Sequence, residues 1–532
     1  MSSNSARVQY HNPIAPGFNP DPSVVFVDGI FYLATSSFHL FPGLPIYAST
    51  DLRKWTHIGN AINRPEQVSL NKAKMVKMPL DTGEFMVGAG GLFAPTIRHH
   101  RGKFYIICTN AIATSDSFVL QNFVISTSDI WAGEWSDPVN IEFNGIDPSL
   151  FFDDDDRVYF QGCFMMDRCK QPSCTIKQFE VDLKTGEHLS EEKEIWGGHA
   201  RYDTEGPHIY KLGSWYYLLV AEGGTFEHHM LCIGRSRSIW GPYEDHAQNP
   251  ILTADGKDEY IQNIGHGELF QDGAGQWWAV GLGIRNENIN SPGEKEALAP
   301  LGRETFLAAV EWPEDGWPQV EQPKMSFSAK PVRSSTGSIV DGEEFKASPS
   351  VGNLYIRTPD LTKYSIPADG KGVHSLFPST KGLSEEEDTC AFVGRRQLSL
   401  TSTAEASLDI SALLPNVRAG LANYKDNLRH ISLIYDPSPA RVSCQLVTLT
   451  RTEKLASELE IDAGEKEVRF RIVSSPTKWT FSAKGASQDE WTEIGTVFAR
   501  DFVAREMTGP IFGLFAMTDD SAATNTPHSL HV

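Results

Sequence analysis

Five stretches of the chain repeat one short pattern, and a repeat restricts the fold more than any bulk property does. Asp21-Pro-Ser-Val-Val-Phe-Val-Asp-Gly-Ile-Phe-Tyr-Leu33 is one copy. Asp147-Pro-Ser-Leu-Phe-Phe152 running into Arg157-Val-Tyr-Phe160 is another, and Glu205-Gly-Pro-His-Ile-Tyr-Lys-Leu-Gly-Ser-Trp-Tyr-Tyr-Leu218 a third. Ala94-Pro-Thr-Ile-Arg98 with Gly102-Lys-Phe-Tyr-Ile106, and Gly265-His-Gly-Glu-Leu-Phe270 with Gly275-Gln-Trp-Trp-Ala279, repeat the pattern without the leading acid. Each reads as a strand, a tight turn and a second strand. A spacing of roughly 50–75 residues suits repeated four-stranded units arranged around an axis. The expected fold is all-β, beginning with a five-bladed β-propeller. The residues that open the blades then converge at its centre, and three of them, Asp21, Asp147 and Glu205, are carboxylic acids.

A second repeat supports the blades. Ile46–Trp55, Val124–Trp131 and Cys232–Trp240 each combine a strand, a turn rich in Ser, Thr or Asp, and a closing Trp. These Trp residues are expected in blade cores rather than as ligand platforms. The composition shifts from Trp312-Pro-Glu-Asp-Gly-Trp-Pro318 into a Ser/Lys/Pro-rich stretch, which reads as a connector. Alternating segments such as His430–Tyr435 and Glu467–Val473 follow, the pattern of a β-sandwich. The expected division is a propeller over residues 1–320, a linker over 321–334 and a sandwich, concanavalin- or jelly-roll-like, over 335–532.

The formal charge of −21 disfavours nucleic acid and anionic lipid as partners but leaves a neutral substrate unaffected. No run approaches the ~18 apolar residues of a membrane span. With no apolar signal region at the start, the expectation is a cytoplasmic protein, or a secreted one if a signal peptide has been omitted. Seven cysteines, with Cys163, Cys169 and Cys174 clustered, lack a structural zinc spacing and are expected to be free thiols. The pairs His99-His100 and His228-His229 are expected to be solvated or at sheet edges.

An Asp before Pro is common in turns, so each acid alone reads as a turn residue. Their repetition favours convergence. Carboxylates crowded together and partly desolvated raise at least one pKa, as a general acid beside an ionised base requires. Asp153–Asp156, by contrast, reads as a solvated hairpin tip.

These motifs resemble the glycoside hydrolase family 43, in its β-xylosidase branch. The resemblance rests on Asn19-Pro-Asp-Pro-Ser23, Thr35-Ser-Ser-Phe-His-Leu-Phe-Pro-Gly43, Gly145-Ile-Asp-Pro-Ser149, Glu205-Gly-Pro-His208 and Leu301-Gly-Arg-Glu-Thr-Phe306, with Phe392–Gln397 and Arg418–Leu421 in the tail. It implies an inverting exo-glycosidase that releases xylose from non-reducing ends of xylo-oligosaccharides. The alternatives are α-L-arabinofuranosidase activity, alone or as a second activity on arabinose-substituted substrate, and, in another class, a non-catalytic carbohydrate-binding propeller. By resemblance Asp21 is the general base, Glu205 the general acid and Asp147 the residue that tunes it. Arg303 binds sugar, with Phe38 and Phe93 in the pocket wall. His266 resembles an axial histidine that holds water or a cation, and it reads equally well as a satisfied core histidine. The chemistry implied needs no metal or other cofactor; a structural calcium near His266 is compatible with it, and so is a homo-oligomer. Phe93 stands where many relatives carry Trp, and Thr526–Val532 lacks the expected aromatic closing strand.

Overall fold

The structure is a computed structural model that describes residues 7–531 apart from 80–84, 115–116, 167–169, 289–296, 370 and 504–506. Strands dominate it. Among the described residues the one α-helix is Ala499–Phe502, and three short 3-10 turns complete the helical content.

The first part contains five antiparallel sheets, each with a core of four strands; these are consecutive in sequence in four of the sheets, while in the first the two-residue strand Leu40–Phe41 intervenes without joining. Their first strands are Ser23–Val27, Gly91–His100, Gly145–Phe152, Glu205–Leu212 and Ile261–Gln271. Each first strand contacts the first strands of the neighbouring sheets, and the fifth contacts the first, so the five close a ring. Hairpin-linked strands need only short turns, which is why the repeats are compact in sequence. The edges of the sheets are packed by aromatic residues. Trp240 meets Tyr159 of the preceding sheet edge-on, with centroids 5.6 Å apart. Trp131 departs from the core expectation. It is 44% exposed and bridges sheets through an Nε1–H bond of 3.0 Å to the Tyr32 hydroxyl.

The N-terminal segment closes the ring without adding a strand to the fifth sheet. Ile14 N donates to Thr305 O at 2.9 Å, Leu307 N to Asn12 Oδ1 at 2.8 Å and Asn19 N to Arg303 O at 3.1 Å. This lacing holds Asp21 against the strand that carries Arg303. Val8–His11 also pairs with Ser326–Ala329, so part of the expected linker is a strand tied to the ring.

The second part is a β-sandwich. A six-stranded sheet, ordered Ala391–Arg396, Ile511–Thr518, Val417–Asp426, Arg429–Pro437, Ala440–Val447 and Thr452–Glu460, faces a seven-stranded one. Leu421 and Leu433 from one sheet share a core with Val468, Phe470 and Phe481 from the other. His528–His531 lies between Val373–Leu376 and Ser402–Asp409, so the chain ends as an inner strand despite lacking aromatic residues. The other face of the six-stranded sheet packs on the ring. Phe392, Tyr424, Ile511 and Phe515 cluster with Phe18, Phe38 and Leu40. Tyr355–Ile356 pairs with Leu40–Phe41, and Arg396 Nε donates to Phe18 O at 2.8 Å.

Candidate active site

The same backbone device recurs at the inner end of every sheet in the ring. Asp21, Ala94, Asp147, Gly206 and His266 have φ of 55°, 36°, 53°, 57° and 33°. In the four later sheets the ladder shifts register at this point, a β-bulge that re-aims side chains towards the centre. A non-glycine residue held there costs on the order of 1–3 kcal/mol, and such strain clusters at functional sites. This alignment corrects the equivalence of the three acids. The counterpart of Asp21 and Asp147 in the fourth sheet is Gly206, and Glu205 stands one residue before it. Glycine suits that position for two reasons. It adopts positive φ freely, and a Cβ there would lie 3.2–3.3 Å from the His266 ring.

Glu205 nonetheless reaches its neighbours. Ligand atoms of Asp147, Glu205 and His266 lie within 4.8 Å of one another. Gly206 N–H donates to Asp147 Oδ2 at 3.2 Å, and His266 Nδ1 lies 3.7 Å from the same oxygen. Glu205 keeps partial contact with solvent but is enclosed by protein on its remaining sides. Burial pushes its carboxyl well above the ordinary carboxylate range, and the negative charges of Asp147, Asp203 and Asp21 push the same way.

Asp21 is buried and accepts from two donors. Ser36 Oγ–H donates to Oδ2 at 2.5 Å, and Arg303 Nη1 lies 3.4 Å from Oδ1. The guanidinium is fixed on its other sides. Nη1 donates to Thr225 Oγ1 at 2.9 Å, and Nε and Nη2 donate to the Met507 carbonyl of the sandwich at 3.3 and 3.1 Å. Its carbon sits 5.5 Å from the Phe38 ring centroid. Phe38 itself is 1% exposed and packs behind Phe93 at 5.1 Å, so Phe93 offers the accessible aromatic surface and Phe38 its backing.

Several polar residues near the centre were not singled out from the sequence. Arg98 Nη1 pairs with Glu268 Oε1 at 2.5 Å, and Glu268 Oε2 accepts from Ser23 Oγ at 2.6 Å. Burial holds His208 well below its ordinary pKa, so its Nδ1 is free to accept from Arg98 at 3.0 Å. His208 and Glu268 lie within the repeated motifs, three residues after Glu205 and Gly265, and that placement was the available signal. His229 also corrects an expectation. It is fully buried, burial lowers its pKa to about 3, and Gly265 leaves the space its ring fills. Asp153 is likewise more than a solvated tip, since it binds Lys211 Nζ at 2.5 Å and the Tyr216 hydroxyl at 2.8 Å.

Asp147, Glu205 and His266 are the described residues placed to share a cation. A divalent ion bound to all three would favour the ionised form of Glu205, against the upward shift that burial and the neighbouring acids impose. The donor set therefore fits a metal poorly if Glu205 works as an acid. Cys163 and Cys174 are buried free thiols, and Cys169 lies outside the described residues. A cavity of about 650 Å³ along Lys381–Asp388 shares no lining residue with the carboxylates. Its loop is tied down by Arg357, which donates to the carbonyls of Glu385 and Asp388.

A carboxyl with a raised pKa among further acids, at the centre of an all-β ring, is the kind of arrangement that acid–base hydrolysis of glycosides uses. Comparison with known proteins makes this specific. Residues 10–318 match glycosyl hydrolases family 43, and residues 346–527 match the β-xylosidase C-terminal concanavalin A-like domain. The chain belongs to glycoside hydrolase family 43. It is 34% identical to a non-reducing-end α-L-arabinofuranosidase of Bacteroides ovatus, over 98% of this chain and 93% of that one. It is 31% identical to a xylosidase/arabinosidase of Butyrivibrio fibrisolvens, over 86% of each. The crystal structure of a xylan β-1,4-xylosidase from Bacillus halodurans superposes with a TM-score of 0.82 at 27% identity, over 98% of both chains.

Proposed function

We propose that this glycoside hydrolase is an inverting exo-β-xylosidase that removes xylose from the non-reducing ends of xylo-oligosaccharides. The observation that carries the reading is the contrast between two carboxyl groups. Burial and Asp147 raise the Glu205 pKa, while Asp21 accepts hydrogen bonds from Ser36 and Arg303. Glu205 gives its proton to the leaving oxygen. Asp21 takes a proton from water, whose oxygen bonds the anomeric carbon as the glycosidic bond breaks. Asp147 keeps the Glu205 pKa high. Arg303 presents its fork to a sugar hydroxyl, and Phe93 offers an apolar wall. Both bonding changes need only a carboxylic acid and a carboxylate, so no cofactor is required. Inversion expects the Asp21 and Glu205 carboxyls ~6.5–9.5 Å apart, with water between them.

The five-sheet ring is read as a five-bladed propeller, with the division at 1–320, 321–334 and 335–532. Its closed first strands and the matched ranges 10–318 and 346–527 support this. Arabinofuranosidase activity is the second reading. The Bacteroides ovatus relative carries that name.

Initial rates on an aryl β-D-xyloside and an aryl α-L-arabinofuranoside, measured side by side, separate the two readings. The xyloside is expected to have the higher kcat/KM, and the reverse order selects arabinofuranosidase. Proton NMR of the first-formed sugar should show the inverted anomer; a retained anomer would make Asp21 a nucleophile.

A further inference from the structure

We propose that Ser36 is a positioning residue for Asp21, engaging Oδ2 so that Oδ1, the oxygen beside Arg303, is the one that takes the proton from water. The inference rests on the reading of Asp21 as the base. A serine hydroxyl has a single proton to give. Ser36 is fully buried, and its backbone is pinned by a 3.0 Å bond from its N–H to Pro20 O. The Ala94 N–H donates into Ser36 Oγ at 2.7 Å. That donation occupies a lone pair and turns the hydroxyl proton towards Asp21 Oδ2, 2.5 Å away.

Ala94 supplies this amide because of its strained conformation. It is the second-sheet counterpart of Asp21, with φ of 36°. Residues of two adjacent sheets thus meet through one hydroxyl. The same arrangement recurs further along the strand, where Ile97 N–H donates to Ser23 Oγ at 3.0 Å and Ser23 donates to Glu268. With Oδ2 engaged by Ser36 and Oδ1 flanked by Arg303, the carboxylate cannot turn about its Cβ–Cγ bond without losing a donor. The base is therefore presented in one orientation. The proton moves from water to Oδ1 as the water oxygen bonds the anomeric carbon, and the leaving oxygen receives the Glu205 proton.

The test is the pH profile of kcat/KM on an activated aryl xyloside, for which help from Glu205 matters least. Ser36→Ala should lower kcat by about 10–10²-fold, as expected for a misplaced reacting group, with KM little changed. The low-pH limb should move to higher pH, because the ionised carboxylate has lost a donor. Ser36→Thr, which restores the hydroxyl, should recover both the rate and the limb. Ser36→Cys, a weaker donor of similar shape, should shift the limb by less and provides the same readout if the alanine variant does not fold. An unmoved limb in folded Ser36→Ala or Ser36→Cys would overturn the proposal and leave Ser36 a packing residue. Asp21→Asn distinguishes the two layers of the argument. If it stays active, the base assignment itself fails; if it is inactive while the Ser36 variants behave as wild type, only the role of Ser36 fails.

Discussion

The ring and the sandwich are both antiparallel β structure, yet they treat backbone strain differently. Of the described non-glycine residues with positive φ, only Arg357 and Asp388 lie beyond residue 315. In the ring the strained positions recur sheet by sheet and turn side chains inwards. The sandwich strands instead alternate regularly, as in Glu467–Ser475, and bury an apolar interior. Its strands supply stability and a docking face, whereas the ring accepts strain to bring charged groups together. The two meet at Arg303, whose guanidinium lies between Asp21 of the ring and the Met507 carbonyl of the sandwich.

The contrast is tested most severely inside the ring. Glu205→Ala should lose about 10²–10⁴-fold on xylobiose, whose leaving hydroxyl needs a proton, and lose less on an activated aryl xyloside. Asp21→Ala should impair both substrates alike, since water must be activated in each case. If Asp21→Ala carried the leaving-group dependence instead, the two roles would be exchanged.

The next largest effect is expected at the seam. A Cβ on Gly509 would lie 2.3 Å from Leu301 O, next to the segment that presents Met507 to Arg303. Gly509→Ala should therefore displace the clamp and reduce kcat/KM by up to ~10²-fold, the cost of a shift of about 1 Å in a catalytic group. Leu433→Ala, between the two sandwich sheets, supplies the comparison. It should cost ~2–5 kcal/mol of stability by denaturant titration while leaving kcat of the folded enzyme near wild type. Equal activity losses in both variants would mean that the sandwich acts on the site only through global stability.

The smallest effect expected is a shift rather than a loss. Asp147→Ala removes a negative charge that raises the Glu205 pKa. A general acid works while protonated, so lowering its pKa moves the high-pH limb of the kcat/KM profile to lower pH. An unmoved limb would leave burial and the other neighbouring acids, without Asp147, as the source of the Glu205 shift.

Much of this was legible because local patterns determine local geometry. Repeated Asp-Pro and Gly-rich openings with alternating hydrophobics specify strand, turn and bulge wherever they occur, so the five sheets and the recurring inner position could be read from spacing. Asp21 and Asp147 stand at that position. The same reading misaligned Glu205 by one residue, because the left-handed conformation, and not the acid, is what the repeat conserves, and Gly206 takes it. Ser36 stayed hidden inside Thr35-Ser-Ser37, where nothing local separates one serine from its neighbours.

The sequence by itself determined that this chain is β throughout, built from repeats, with carboxylates at their openings and a sandwich behind. Only the tertiary structure decided what each carboxylate meets. Asp21 and Arg303 are 282 residues apart, and Arg303 and Met507 are separated by 204. Hydrophobic periodicity carries no information about contacts at such separations. They form when the N-terminal segment laces the ring shut and the sandwich docks on it, and those steps place one acid in a desolvated position and the other between two donors.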